Sequence, residues 1–320
     1  MKRNVKYSAF FQAMFIVLGS CISQMGAVNA AARIDDSKRA GVVVRSLAEL
    51  EAKAASHPRH RTDLFEAQSA GEVVEILKGV RKEDLAAYLK IKDSGGGFMY
   101  RGSNALQANC MFAKPEVVEA ILNAVPEAER AAFLKIQNDD GRTALQMANT
   151  TVSSNSSKCV DIILAAVSEA EIGSIINVQN TQGNTVLHEL LSVLRLSFDH
   201  EEEDVPVICR NNIITLLAQP GVDIHIRNTQ GETARDINPT AFDSCATAAN
   251  VKITAKNAER RAQRDRMRQV LVAQGMIVDL AELSSQYTEP DQPLIPVGAV
   301  APAAPVGAAV PAVPAIGDGE

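Results

Sequence analysis

The sequence predicts an all-α fold: short helical units stacked side by side as a solenoid and joined by short β-hairpin turns. Three observations lead there. A degenerate segment recurs as Asn138-Asp139-Asp140-Gly141-Arg142-Thr143-Ala144-Leu145, then Asn180-Thr181-Gln182-Gly183-Asn184-Thr185-Val186-Leu187-His188, then Asn228-Thr229-Gln230-Gly231-Glu232-Thr233-Ala234. Equivalent aliphatic residues Ile91, Ile136, Val178 and Ile226 are 45, 42 and 48 residues apart. Between them, apolar side chains recur at spacings of three and four, as in Val117, Val118, Ile121 and Leu122, and in Ile162, Ile163, Ala166 and Val167. That is the pattern of a helix packed on one face. A unit of this size cannot bury its apolar face alone, and stacking solves this.

From the N-terminus, Lys2, Arg3 and Lys6 precede an apolar run from about Ala9 to Leu18, and Val28-Asn29-Ala30 offers the small residues a signal peptidase requires. Residues 1–30 are therefore expected to be a cleaved export signal. The apolar run is shorter than the ~20 residues of a spanning helix. Leu18-Gly19-Ser20-Cys21 gives an alternative, since it resembles the lipobox of bacterial lipoproteins and would anchor the chain to a membrane through Cys21. Residues 31–62 read as a linker or capping helix and 63–284 as the repeat domain. Residues 285–320 read as a disordered tail: from Pro290 to Ile316 the chain is mostly Pro, Ala, Val and Gly, with Asp291 its only charge.

Within the repeats, Ile76-Leu77-Lys78-Gly79-Val80, Ile121-Leu122-Asn123-Ala124-Val125 and Ile163-Leu164-Ala165-Ala166-Val167 each close a helix. Each is followed by an acidic patch, at Glu83-Asp84, Glu127-Ala128-Glu129 and Glu169-Ala170-Glu171, and then by an extended piece such as Leu134-Lys135-Ile136-Gln137. The fourth copy, Leu216-Leu217-Ala218-Gln219-Pro220-Gly221-Val222-Asp223-Ile224, lacks the acidic extension. Gly141, Gly183 and Gly231 sit where a tight turn needs positive φ. Thr143, Thr185 and Thr233, two residues on, are placed to cap a helix. Leu145 and Leu187 point inward from that helix, and small residues such as Ala148 let the next one approach. Two insertions lengthen the units: a polar loop from Thr150 to Ser157 and an acidic loop from Ser197 to Pro206. A last helix, Ala258 to Gln274, has Ala258, Ala262, Met267, Val270 and Leu271 on one side and Arg260, Arg261, Arg264, Arg266 and Arg268 on the other, as a cap would.

Gly183-Asn184-Thr185-Val186-Leu187-His188 and the Leu216–Asp223 turn resemble the ankyrin-repeat family, whose core reads Gly-x-Thr-Pro-Leu-His-x-Ala with paired leucines and a Gly-Ala-Asp turn later. The resemblance covers roughly residues 63–280, in four or five units. It departs at Asn104, which stands for Thr, at Gln107 and Gln146, which stand for His, and at Arg235, which replaces a core Leu. The units also exceed the family's usual length of about 33 residues. What the resemblance implies is a protein-binding scaffold, not an enzyme, with contact made by hairpin tips and concave helix faces; the alternative is a secreted effector of a host-associated bacterium. The tip residues are Asp139, Asp140 and Arg142, then Thr181, Gln182 and Asn184, then Thr229, Gln230 and Glu232. Gly141, Thr143, Leu145, Gly183, Thr185, Leu187, His188, Gly231 and Thr233 would be structural.

Composition narrows the partner. Without residues 1–30 the chain has 29 basic and 38 acidic residues, a net charge of −9, which argues against general nucleic-acid binding. Cys110, Cys159, Cys209 and Cys245 show no CxxC spacing, and Cys110 and Cys159 fall among apolar helical residues, which favours free buried thiols over disulfides. His57-x-x-His60 has Pro58 inside it and no evident third ligand, and the acidic loop around His200 lacks the pattern of a calcium loop. The sequence holds no Gly-rich phosphate loop, Gly-x-Ser-x-Gly elbow or His-Glu-x-x-His. The expected partner is a protein; no cofactor, metal, small-molecule substrate or nucleic acid is expected, and a membrane only if Cys21 is lipidated.

Overall fold

The computed structural model describes residues 44–57, 62–93, 101–196, 204–273 and 291–297. Among them are thirteen α-helices: α1 (Leu47–Ser56), α2 (Ala70–Lys78), α3 (Leu85–Leu89), α4 (Ala105–Met111), α5 (Pro115–Ala124), α6 (Glu127–Leu134), α7 (Ala144–Ala148), α8 (Ser154–Ala165), α9 (Glu169–Ile176), α10 (Val186–Leu196), α11 (Asp204–Leu217), α12 (Ala234–Ile237) and α13 (Pro239–Ala273). The expected export signal, Cys21, His60, the loop from Ser197 as far as residue 203, and the tail beyond residue 297 lie outside the described residues. Among the described residues no helix is long and apolar enough to cross a membrane. The fold is all-α. Where short hairpins were expected, the described residues form only isolated bridges, Arg45–Val80, Lys92–Asn104 and Arg227–Thr233. The turns reverse within a few residues, which leaves no length for paired strands.

The helices lie in rows. α4, α7, α10 and α12 pack one on the next, and α2, α5, α8, α11 and α13 form a second row against them. Caps start the first row. Asn104 and Thr143 accept from the backbone N–H three residues on, at 3.0 and 3.4 Å, so the Asn that replaces Thr caps equally well. Apolar faces meet between the rows: Leu106, Ile121, Leu145, Ile163, Leu187, Leu190 and Leu216 are all buried. Each such side chain contributes roughly 1.5–3 kcal/mol relative to exposure.

A third row accounts for the long units. The acidic patches open helices, α6 and α9, which pack on each other, and the extended pieces begin only where these helices end, at Leu134 and Ile176. Their first turns hold Glu127 with Glu129, and Glu169 with Glu171, where negative charge complements the helix dipole. The polar loop is also shorter than expected. Ser153 caps α8 by accepting from Ser156 N (3.1 Å), so Ser154 to Ser157 form its first turn.

Two further expectations are corrected at the C-terminal end. The last helix begins at Pro239 rather than at Ala258, since proline at a first helical position has no N–H to leave unpaired. Ala258, Ala262, Met267 and Val270 are exposed rather than packed; the inward face there is Asn257, Arg260 and Arg264, which meet Gln292, Glu169 and Asp291. The second correction concerns the tail. Residues 291–297 lie against α13 with Gln292 and Ile295 buried, so this part of 285–320 is ordered chain held by hydrogen bonds. The four cysteines at 110, 159, 209 and 245 are free and buried. Burial pushes the Cys159 and Cys209 thiols up to about 12.

Candidate interaction surface

The tips of successive units stack on one another. Each opens with an asparagine whose Oδ1 accepts two backbone N–H groups of its own loop: Asn138 from Asp140 (3.1 Å) and Arg142 (2.8 Å), Asn180 from Gln182 (2.9 Å) and Asn184 (3.0 Å), Asn228 from Gln230 and Glu232 (both 3.0 Å). This side chain shapes the loop, and the Asn that opens every copy was its signal in the sequence. One tip is then bonded to the next through backbone. Asp139 N donates to Arg101 O (3.2 Å), Thr181 N to Asp140 O (3.0 Å) and Thr229 N to Gln182 O (3.0 Å). The Gly141 Cα lies so close to the following tip that a Cβ there would sit 2.6 Å from Thr181 N, and its φ is +73°.

Side chains continue the ladder in one direction. Gln107 accepts from Asn104 N through Oε1 (2.8 Å) and donates through Nε2 to Arg142 O (2.8 Å) in the following unit. Gln146 accepts from Thr143 N (2.9 Å) and donates to Asn184 O (2.9 Å). His188 occupies the same place: Nδ1 faces Thr185 N at 3.2 Å and Nε2 faces Glu232 O at 3.1 Å. With an N–H directed at Nδ1, the proton resides on Nε2 and the imidazole is neutral. Burial pushes its pKa below the ordinary histidine value. In the last unit the position is Asp236, which accepts from Thr233 N (2.8 Å) but, as a carboxylate, has nothing to donate onward. No further tip follows it among the described residues.

The structure therefore divides the nine predicted contact residues. Asp139, Asp140, Gln182 and Gln230 are exposed along one edge. Thr181 and Thr229 are exposed too, but their hydroxyls donate to Asp140 O and Gln182 O (both 2.9 Å) and serve the stack. Asn184 and Glu232 are half-buried, with their carbonyls engaged by Gln146 and His188. Arg142 is drawn inward, its Nε donating to Glu189 Oε1 at 2.9 Å, and Asn180 Nδ2 donates to the same oxygen at 2.9 Å. Burial pushes the Glu189 carboxyl above its ordinary range, opposed by Arg142. Gly141, Thr143, Leu145, Thr185, Leu187 and His188 are all buried in the stack, whereas Gly231 has no atom within 4 Å of where a Cβ would lie. Every residue of α4 and α7 is buried, so these helices present no exposed side chains for contact.

The arginine-rich face of α13 is substantially paired. Arg260 and Lys256 meet Glu169 at the start of α9, and Arg261 and Arg264 meet Asp291. Arg235, replacing a core leucine, forks onto Asp243 through two bonds of 2.9 Å and joins α12 to α13. Among the described residues no group of three or more His, Cys, Asp or Glu converges as metal ligands would. A shallow depression of about 180 Å³ lies between α1 and the Asp63 turn, lined by Leu50, Lys53, Ala54, Thr62, Asp63 and Tyr88. No protein-family model matches the chain, and no curated protein matches it.

Proposed function

We propose that this chain is an ankyrin-like solenoid that works as an exported protein–protein interaction scaffold, engaging its partner through the tips. The observation that carries this reading is the row of exposed Asp139, Asp140, Gln182 and Gln230 on loops whose backbones are bonded unit to unit. Side chains held in register on a rigid edge bind without ordering a loop first, which lowers the entropic cost of association. The reading involves no catalysis, cofactor, metal or nucleic acid. Export rests on residues 1–30.

The test is a photo-crosslinking residue at Gln182 or Gln230 in the native host, with one at the exposed Val74 on α2 as the off-edge control. The expected result is one discrete adduct from the tips and none from Val74. Reversing Asp139 and Asp140 to lysine should remove it while the thermal unfolding curve stays in place. An adduct that survives the reversal overturns the assignment to the tips. Intact mass of the mature protein tests export: a start at Ala31 gives a free exported binder, a diacylated Cys21 gives a membrane-anchored one, and an uncleaved chain rejects export.

A further inference from the structure

Asn250 and Asn257 lie seven residues apart on α13, which places them on one face, about 10.5 Å apart along the axis at ~1.5 Å per residue. Three residues of extended chain advance about 10 Å. The segment at 291–297 uses that match. Asn257 Nδ2 donates to the Gln292 carbonyl (2.8 Å) while its Oδ1 accepts the Gln292 N–H (3.0 Å). Asn250 treats Ile295 the same way, at 2.9 and 2.8 Å. Both bonds in each pair go to backbone, so neither clamp depends on which side chain the clamped residue carries.

The surroundings add selectivity. Each clamped residue precedes a proline, Pro293 or Pro296. Proline holds the residue before it in extended backbone and brings no N–H that would need a partner. Ile295 is buried, and Gln292 Nε2 donates to Gln219 O just beyond α11 (2.8 Å). Asp291 accepts from Arg261 Nε (2.7 Å) and Arg264 Nη2 (3.2 Å). The face thus reads an acidic residue, two Xaa-Pro steps three residues apart, and an aliphatic side chain in the second step. The Xaa-Pro spacing of Gln292-Pro293-Leu294-Ile295-Pro296 recurs in the sequence at Ala301-Pro302-Ala303-Ala304-Pro305 and Val310-Pro311-Ala312-Val313-Pro314, nine residues apart each time. The later copies lack the preceding acid and carry Ala304 and Val313 in place of Ile295. A strap that only sealed the helix would need the pattern once.

We propose that the face of α13 bounded by Asn250, Asn257 and Gln219 is a recognition groove for extended segments of other polypeptides. Such a segment carries an acidic residue followed by two Xaa-Pro steps three residues apart, the second Xaa aliphatic. Residues 291–297 are its built-in competitor. This surface is separate from the tips and does not depend on them. Tethered through the 17 residues from 274 to 290, the competitor meets the groove at an effective concentration on the order of millimolar, so a foreign segment succeeds by binding more tightly or at several points.

The probe is a fluorescent peptide spanning residues 289–298, read by anisotropy against the full chain. Carrying Asp291→Lys and Ile295→Asp, the chain should release its own segment and bind the peptide at least about tenfold more tightly than the unsubstituted chain does. Adding Asn250→Ala and Asn257→Ala should abolish that binding, and a peptide with both prolines replaced by alanine should bind more weakly. Circular dichroism melts establish that each variant is folded. A second route keeps the segment intact: a protease site placed within residues 275–285 is cut after folding, and excess 289–298 peptide should then displace the fragment on a sizing column. A folded, released chain that ignores the peptide, a fragment that does not exchange, or equal binding of a scrambled peptide would each overturn the proposal and leave 291–297 as a structural strap.

Discussion

One position, occupied by Gln107, Gln146, His188 and Asp236 in successive units, shows how different side chains meet one requirement. A glutamine amide and a neutral imidazole both present an acceptor to the capping residue and a donor to the next tip about one side-chain length away. His188→Gln should therefore keep the fold, changing stability by no more than about 1 kcal/mol at neutral pH. It should also remove an acid sensitivity. Because burial lowers the folded pKa of His188, the unfolded chain takes up a proton first as pH falls below about 6.5, and stability drops there. Urea unfolding at pH 7.5 and 5.0 should show a larger loss in the unsubstituted chain than in the variant; equal losses would discard this role. The turn glycines give a second comparison. Gly141→Ala meets both left-handed strain, roughly 1–2 kcal/mol, and the backbone of the next tip. Gly231→Ala meets the strain alone, so the first substitution should lower the denaturation midpoint well beyond the second.

At the scale of elements, much was legible in the sequence. The turn glycines have positive φ, Thr143 and Thr233 cap helices, and Leu145 and Leu187 are buried. All lie where periodicity and cap chemistry put them, and so do the helix pairs. What was missed has physical reasons. α6 and α9 are only eight residues long, and their acidic first turns look like surface loops until the capping box of Ser168 and Glu171 is considered with Ile172, Ile175 and Ile176. The start of α13 places Phe242, Cys245, Ala246, Ala249 and Ile253 at spacings of three and four, but most of these buried side chains are small and give a weak hydrophobic signal. Of the candidate contact residues, exposure held for Asp139, Asp140, Gln182 and Gln230. The inward turn of Arg142 depends on Glu189, 47 residues away, which no local pattern reveals. The clamps on 291–297 likewise join residues 35 and 45 apart. Unforeseen too is the approach of α9 to the turn after α11: a Cβ on Gly173 would lie 2.6 Å from the carbonyl oxygen of Gly221. Asn177 Nδ2 reaches that same oxygen at 2.8 Å. Gly173→Ala is expected to cost about 1–3 kcal/mol through overpacking, measurable as a shift in the urea midpoint with unchanged helix content.

Across the whole molecule, the bonds between turns run from each unit to its immediate neighbour, while Lys256 and Arg260 of α13 reach back past one unit to Glu169. Lys92 Nζ donates to Gln137 O (2.7 Å), Gln137 Nε2 to Gln179 O (2.8 Å) and Gln179 Nε2 to Arg227 O (2.9 Å), so adjacent units are joined at the turns as well as through their cores. In a stack bonded this way, damage spreads to neighbours and fades with distance. Hydrogen exchange in Gly141→Ala should accelerate in α4 to α10 and stay unchanged in α12; uniform acceleration would mean that the molecule opens as one block.

Asp236 also bears on how such a chain can change length over evolutionary time. A unit duplicated between Gln107 and His188 inherits both a donor and an acceptor at its ladder position, and can be inserted or deleted with the hydrogen-bond register restored on either side. A unit appended after Asp236 would meet a carboxylate facing a carbonyl oxygen. The array can be lengthened from within, and its C-terminal boundary is written into a single side chain.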